Sequence, residues 1–204
     1  MVSANRASRR WDSPFLLASN SPRRRELLAG AGLKFETASS DVAERFDGDL
    51  TLRELTAWNA VRKGLSVARR HPYRVVLAAD TLVAMQGAII GKPRDWVDAA
   101  RILRRLSGQV HEVCSSVFVC HLARGRSSLF HEISRVRFRR LQQAQIESYL
   151  AQVNPLDKAG AYAAQGRGAE IIEEVEGSFT NVVGLPMEQT MDVLAQFGVN
   201  PERA

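Results

Sequence analysis

The chain has 204 residues, of which 45% are hydrophobic and 25% are charged. This composition is that of a soluble globular protein, and it excludes a disordered chain and an integral membrane protein. The formal net charge of +6 is modest and suits a small anionic ligand, whereas aromatic residues, at 7%, are too few and scattered for a base-stacking surface. We therefore expect no stable nucleic-acid partner and no membrane association.

The first thirteen residues contain three arginines but no apolar run of the length that a secretory signal needs. We predict a disordered basic tail over residues 1–13, a single domain over residues 14–204 and a cytoplasmic location. Cys114 and Cys120 have no second pair that would complete a metal-ligand set, so we interpret them as reduced, small apolar residues.

The first informative segment is F-L-L-A-S-N-S-P-R-R-R-E-L-L-A-G, from Phe15 to Gly30. Serine favours the N-cap and proline the first position of a helix, so a helix is expected to begin at Pro22. Arg23 and Arg24 then fall in its first turn, where the helix dipole disfavours cations. A bound polyphosphate would compensate them, because backbone N–H groups, serine hydroxyls and guanidinium groups all donate there. A solvated arginine cluster is the alternative that these residues leave open.

A half-buried strand is predicted from Leu33 to Ala38, followed by a polar, acidic loop that contains Glu44. Thr51 is a suitable cap for a helix that extends to about Arg70. Val75 to Ala79 is a continuous apolar run, which is typical of a strand that is buried on both faces.

Asp80 follows this apolar run, and a hairpin through Gln86-Gly87 leads to Gly91-Lys92-Pro93. Because ligands bind at strand ends in open α/β sheets, we expect Asp80 to open onto a cleft. A turn cap is the alternative role for such an aspartate.

The second half of the chain predicts further helices and strands. In chain order they are a helix that begins at Asp95 or Asp98, a long hairpin over 110–138, a helix over 141–153, a glycine-rich passage, a strand over 169–175 and a last helix over 187–197.

The chain thus offers four cations and two carboxylates that one cleft can gather. They are Arg23, Arg24, Lys63, Lys92, Asp80 and Glu44. This set suits a metal-bound triphosphate, because Mg²⁺ is held by one or two carboxylates together with phosphate oxygens. Aspartate side chains are ionised at neutral pH, so Asp80 can hold a metal or accept a proton from an attacking water.

Five motifs, in this order and at these spacings, resemble the Maf family of nucleoside triphosphate pyrophosphatases. They are S-N-S-P-R-R-R-E-L-L, A-A-D-T, G-K-P, L-R-R-L-S-G and D-K-A-G-A-Y-A-A-Q-G-R-G. The resemblance implies an α/β fold of the inosine-triphosphate-pyrophosphatase type, with a mixed sheet, flanking helices and two lobes around a cleft. It also implies hydrolysis of a nucleotide to the monophosphate and pyrophosphate with Mg²⁺ or Mn²⁺, and it suggests a homodimer.

The same resemblance assigns roles to individual positions. Asp80 matches the catalytic carboxylate and, with Glu44, the metal ligands, and the substrate-binding positions are Ser19, Arg23, Arg24, Lys63 and Lys92.

Base preference is implied at Arg23, Thr81 and Gln165, a combination that resembles the branch acting on dTTP and UTP. The glutamine amide can both donate to and accept from the imide edge of a pyrimidine. The chain departs from its relatives at Ala163-Ala164, where Gly-Ile is common, and the added Cβ of Ala163 is expected to crowd the base pocket.

Two alternatives follow from the same residues. A pyrophosphatase directed at purines or 7-methyl-GTP is the nearer one, and a regulatory or binding protein that acts on cell division through its basic segments is the other.

Overall fold

The computed structural model describes residues 14–44 and 49–202. Within these ranges seven strands form one sheet: β1 (Phe15–Leu17), β2 (Phe35–Thr37), β3 (Val76–Met85), β4 (Ala88–Ile90), β5 (Val110–His121), β6 (Arg126–Phe138) and β7 (Ile172–Glu176). The same ranges contain the helices α1 (Pro22–Gly30), α2 (Leu52–Arg70), α3 (Trp96–Leu106), α4 (Gln143–Leu150), α5 (Gly168–Ile171), α6 (Phe179–Val183) and α7 (Met187–Gln196). The predicted tail over residues 1–13 lies outside the described residues.

The sheet is mixed, with strand order β2-β1-β3-β5-β6-β7. β1 pairs in parallel with β2 and β3, whereas β3, β5, β6 and β7 pair antiparallel. The predicted fold class, an α/β protein with a mixed sheet flanked by helices, is confirmed.

The local signals for the helix starts are confirmed. Pro22 is the first residue of α1 and Ser21 is its N-cap, although the Ser21 side chain makes no capping hydrogen bond. Thr51 caps α2 in a full capping box with Glu54. This box fixes the beginning of a 19-residue helix that carries Asn59 and Lys63 toward the sheet.

Alternate residues of the central strands enter different cores, because successive side chains of a strand point to opposite faces. On one face, Val76 and Ala78 pack under α2. On the other face there are two separate apolar clusters, one containing Leu77 and Ala79 and the other containing Val83. Thr81 lies between these two clusters.

Both edge partners of β3 are short, and this leaves part of its edge uncovered. β1 pairs with β3 only at Val76 and Leu77, and β4 pairs with it only from Val83 to Met85. Residues 78–82 therefore have a pairing strand, β5, on one side alone within the described chain.

Asp80 is not at the end of its strand, because β3 continues through it to Met85. Its side chain lies beside open space since β1, and not β3, ends next to it. The strand that ends at this position is β1, at Leu17, and not β3.

Two elements differ from the sequence-based expectation. The predicted strand over 169–175 begins as the helical turn α5 and becomes extended only at Ile172, and α6 falls in a stretch for which no helix is predicted. Neither helix is longer than five residues, which is too short for a helical period to show. Among the described residues, no helix is long and apolar enough to cross a membrane.

Candidate active site

A cavity of about 390 Å³ opens beside the uncovered edge of β3. It brings together eight of the nine predicted site residues, namely Ser19, Arg23, Arg24, Glu44, Lys63, Asp80, Thr81 and Lys92. They come from the β1–α1 connection, the first turn of α1, the acidic loop, α2, β3 and the segment after β4. The convergence that the sequence predicted is therefore present in the structure.

Four charged side chains form a continuous line of ion pairs along one wall. Lys63 Nζ donates to Asp80 Oδ1 at 2.5 Å and to Glu44 Oε1 at 2.8 Å. Lys92 Nζ donates to Glu44 Oε2, also at 2.8 Å. Two carboxylates and two ammonium groups thus alternate, and all four border the cavity.

The side chain of Asp80 is buried, and its second oxygen, Oδ2, accepts a 3.3 Å hydrogen bond from Asn59 Nδ2. Asn59 is not among the predicted site residues. Its position four residues before Lys63 places both side chains on one face of α2, and this spacing is a signal that could have found it.

The pKa of Glu44 is strongly shifted. Burial opposes its ionisation, but the charges and hydrogen bonds of Lys63 and Lys92 outweigh this and lower the pKa of Glu44 to about 2. The carboxylate is therefore held in its charged form at the cavity wall.

Arg24 is buried and is held by the protein itself. Its Nε donates to Gly184 O at 2.8 Å, and Nη1 donates to Ser19 Oγ at 3.2 Å and to Ala79 O at 2.9 Å. Nη2 donates to Thr81 Oγ1 at 2.9 Å. Because a guanidinium has five N–H donors, four contacts leave one donor for a ligand. Arg24 thus joins three segments of the cavity wall.

Arg23 has a different environment. It forms a 3.2 Å ion pair with Asp157, whose side chain is 47% exposed, so that this contact can be exchanged for a ligand at small cost. Asp157 belongs to the glycine-rich motif but is not a predicted site residue.

Gln165 is the predicted site residue that does not line the cavity. It lines a shallow neighbouring depression with Phe179 and Ile172, and Ala164 borders both spaces. Ala163, where an extra Cβ was expected to crowd a base, does line the main cavity.

The two ends of the cavity differ in character. The ion-paired wall lies toward α2, whereas the opposite end is formed mainly by apolar groups, among them Val83, Val113, Tyr162, Ala164, Val182 and Val183. A ligand with a polyanionic end and a flat, weakly polar end would match both.

The fold and this cavity define an α/β domain with a charged ligand cleft. A family model described as Maf-like protein matches residues 14–197, and the chain belongs to the Maf family. The resemblance inferred from the five motifs is confirmed.

Relatives in this family are similar over most of their length. A dTTP/UTP pyrophosphatase of Moorella thermoacetica is 45% identical over 188 residues, which is 92% of this chain and 97% of the relative. Proteins of the same name from Pelotomaculum thermopropionicum and Bacillus pumilus are 43% and 40% identical, each covering 91% of this chain and 97% of the relative. Among solved structures, the Ham1 protein of Staphylococcus aureus aligns with a TM-score of 0.41 and 12% identity, over 91% of this chain and 97% of that one.

Proposed function

We propose that this protein is a nucleoside triphosphate pyrophosphatase that hydrolyses dTTP and UTP to the monophosphate and pyrophosphate. Family membership and the names of relatives at 40–45% identity support this proposal. The observation that carries it is the line of ion pairs from Lys92 through Glu44 and Lys63 to Asp80, beside a cavity with an apolar far end.

In the proposed reaction, the oxygen of a water attacks a phosphorus of the anhydride, the anhydride bond breaks and pyrophosphate leaves. Asp80 accepts the proton of that water, because its carboxylate borders the cavity. Lys63, Lys92 and Arg23 bind the phosphate oxygens, and each now faces a carboxylate that a polyanion can replace as partner. Ser19 and the remaining donor of Arg24 complete this set.

A divalent cation, Mg²⁺ or Mn²⁺, is part of the proposal. The donor set fits a metal that arrives with its nucleotide, since Asp80 and Glu44 are hard oxygen ligands that meet at one ammonium group. The described residues contain no group of three or more His, Cys, Asp or Glu that could hold a metal. The proposal therefore assigns the remaining metal ligands to phosphate oxygens. When bound, the ion would offset the negative charge that develops on the phosphates.

We propose that three residues determine the preference for a pyrimidine base, namely Arg23, Thr81 and Gln165. Arg23 and Thr81 border the cavity, and Gln165 borders the adjoining depression across Ala164. Ala163 also lines the cavity.

The experiment is a substrate panel with the purified protein and Mg²⁺ or Mn²⁺. dTTP and UTP are expected to yield pyrophosphate and to exceed CTP, GTP, ITP and 7-methyl-GTP in kcat/KM. Asp80→Asn is expected to lower kcat by about a hundredfold or more while the protein stays folded, because it removes the proton acceptor. Release of orthophosphate in place of pyrophosphate would refute the reaction, and a purine at the head of the panel would refute the base preference.

A further inference from the structure

A small polar network separates the two apolar clusters on the face of the sheet opposite α2. Its members are Arg24, Thr81, Ser115, Asn181 and Gly184. Ser115 and Asn181 are buried, and Ser115 lies directly opposite Thr81 in the β3–β5 ladder. Because each hydroxyl has one proton, the network determines which way each proton points.

The hydroxyl proton of Ser115 points to a backbone oxygen. Ser115 Oγ donates to the backbone oxygen of Asn181 at 3.0 Å, and a carbonyl oxygen can only accept. The Asn181 side chain holds this geometry, because its Oδ1 accepts from Ser115 N and its Nδ2 donates to Val113 O. In the other possible arrangement Ser115 donates to Thr81 and Thr81 donates to Gly184 O, which needs a longer bond of 3.3 Å. The shorter bonds therefore make Ser115 Oγ the acceptor from Thr81 Oγ1, which lies 2.8 Å away.

The proton of Thr81 is consequently directed into the protein. It points to Ser115 Oγ, and the second nearby acceptor in the network, Gly184 O at 3.3 Å, is also a protein atom. Arg24 Nη2 donates to Thr81 Oγ1 and occupies one of its two lone pairs. The hydroxyl retains a single lone pair and no proton for a ligand.

Thr81 lies where the flat end of a ligand would be. It borders the cavity on the face of β3 that carries Val83, and Asp80 lies on the other face. Because Thr81 lines the cavity and is only partly buried, its remaining lone pair is the group that it can offer to a ligand there. A hydrogen-bond donor is the group that it can recognise.

We propose that Ser115 is a positioning residue for base selection: by accepting the proton of Thr81, it makes the Thr81 hydroxyl an acceptor only, which selects a base edge that donates N–H. Uracil and thymine present such a donor at N3, whereas N3 of cytosine is an acceptor and would face the Thr81 lone pair. This inference rests on the proposed function. It also explains why cytidine nucleotides would be rejected.

The test compares Ser115→Ala with the wild-type protein on UTP and CTP. Without the Ser115 oxygen, the Thr81 hydroxyl keeps only the long 3.3 Å contact to Gly184 O and can turn to donate to N3 of cytosine. The UTP-to-CTP ratio of kcat/KM is therefore expected to fall about tenfold, which corresponds to one hydrogen bond gained by the cytosine nucleotide. The change is expected in KM, with kcat for UTP nearly unchanged. An unchanged ratio would overturn the inference.

Two variants provide matched controls. Ser116→Ala removes the neighbouring buried hydroxyl of β5, which contacts Thr56 Oγ1 at 2.7 Å, and is expected to keep the wild-type ratio. Ser115→Thr keeps a hydroxyl at the position and is expected to restore discrimination. If Ser116→Ala lowered the ratio as much as Ser115→Ala, a general loosening of the strand would be the cause and the inference would fail.

Binding of non-hydrolysable α,β-methylene analogues of UTP and CTP, measured by calorimetry, separates this inference from the proposed reaction. A protein that hydrolyses neither nucleotide refutes the proposed function, and the ratio of dissociation constants in wild type and Ser115→Ala still tests Ser115. If Ser115→Ala does not fold, Thr81→Val tests the contact on which the inference depends, that of the Thr81 lone pair with the base, because the isosteric side chain has no lone pair. Equal discrimination by Thr81→Val and the wild type would overturn the inference.

Discussion

Lys63 Nζ lies 2.5 Å from Asp80 Oδ1, and both side chains are buried. Lys63 thus neutralises Asp80 and also contacts Glu44. A buried charge that loses its partner is costly, and this predicts how the site responds to the removal of its central ammonium group.

Lys63→Met is expected to destabilise the protein by about 3–5 kcal/mol, because Asp80 would remain buried without its cation. Urea unfolding measures this loss. Mg²⁺ is expected to raise the melting temperature of the variant by more than that of the wild type, since a divalent ion can take the vacated place between the two carboxylates. Lys92→Met, which removes a side chain that is 45% exposed, is the control and is expected to cost far less. Equal effects of Mg²⁺ on Lys63→Met and the wild type would contradict the metal assignment.

Glu44 predicts a dependence of stability on pH. Its pKa is lowered from 4.5 to about 2, so the folded protein binds a proton at Glu44 less readily than the unfolded chain does. The stabilisation is therefore complete above the unfolded pKa and is lost as the pH falls through the folded pKa. At neutral pH, Glu44→Gln is expected to lower the free energy of unfolding by about 1–3 kcal/mol, a difference that disappears between about pH 4.5 and pH 2.

Unfolding experiments at a series of pH values check this expectation. The control is Glu174→Gln, at an exposed side chain whose ion pair with Arg137 is 3.6 Å long, and its stability is expected to equal that of the wild type at every pH. If the free energy of unfolding of Glu44→Gln were still below that of the wild type at pH 2, the two ion pairs of Glu44 would not be the source of the difference.

Arg24 and Arg23 are neighbours in sequence, but substitutions of the two residues are expected to differ in their effect on the stability of the protein. Arg24→Lys is expected to cost about 2–4 kcal/mol, because an ammonium group cannot reach the four acceptors that the guanidinium holds. Arg23→Lys is expected to cost less than about 1 kcal/mol, because its single ion pair is partly exposed. Urea titration of the two variants makes the comparison, and similar losses would contradict the different roles assigned to them.

Gly168 supports the cavity wall from behind. A Cβ at this position would lie 2.6 Å from the carbonyl oxygen of Ala163, which lines the cavity. Gly168→Ala is expected to cost about 1–3 kcal/mol and to raise KM, because the backbone at Ala163 must shift. Gly30→Ala, whose Cβ would meet nothing within 4 Å, is the control and is expected to change stability by less than about 0.5 kcal/mol. Urea unfolding and steady-state kinetics of both variants make the comparison.

The sequence is sufficient for features that depend on local pattern. Pro22 and Thr51 mark helix starts because caps are local, and the apolar run before Asp80 identifies the central strand. Asp80 and Lys92 lie in motifs that resemble a family, and the same resemblance adds Lys63 and Glu44 to the predicted site, since spacing alone does not bring distant residues together.

Other features depend on contacts that no local pattern encodes. The hydrogen bond from Arg24 to Gly184 joins residues that are 160 positions apart in sequence. Arg24 was expected to bind phosphate, but most of its N–H donors contact the protein. Ser115 and Asn181 do not belong to a sequence motif. Their contact exists only because β5 and α6 pack together. The turn α5 escapes prediction because Ile171 and Ile172 favour extended structure.

The uncovered stretch of β3 has a mechanical consequence. Asp80 and Thr81 are consecutive residues of β3 and both pair with β5, yet they face opposite sides of the sheet. If Asp80 accepts the proton and Thr81 contacts the base, as proposed, one peptide unit of the strand sets the spacing between these two functions. On this proposal, a change in the backbone at either residue would alter the positions of the carboxylate and the hydroxyl together.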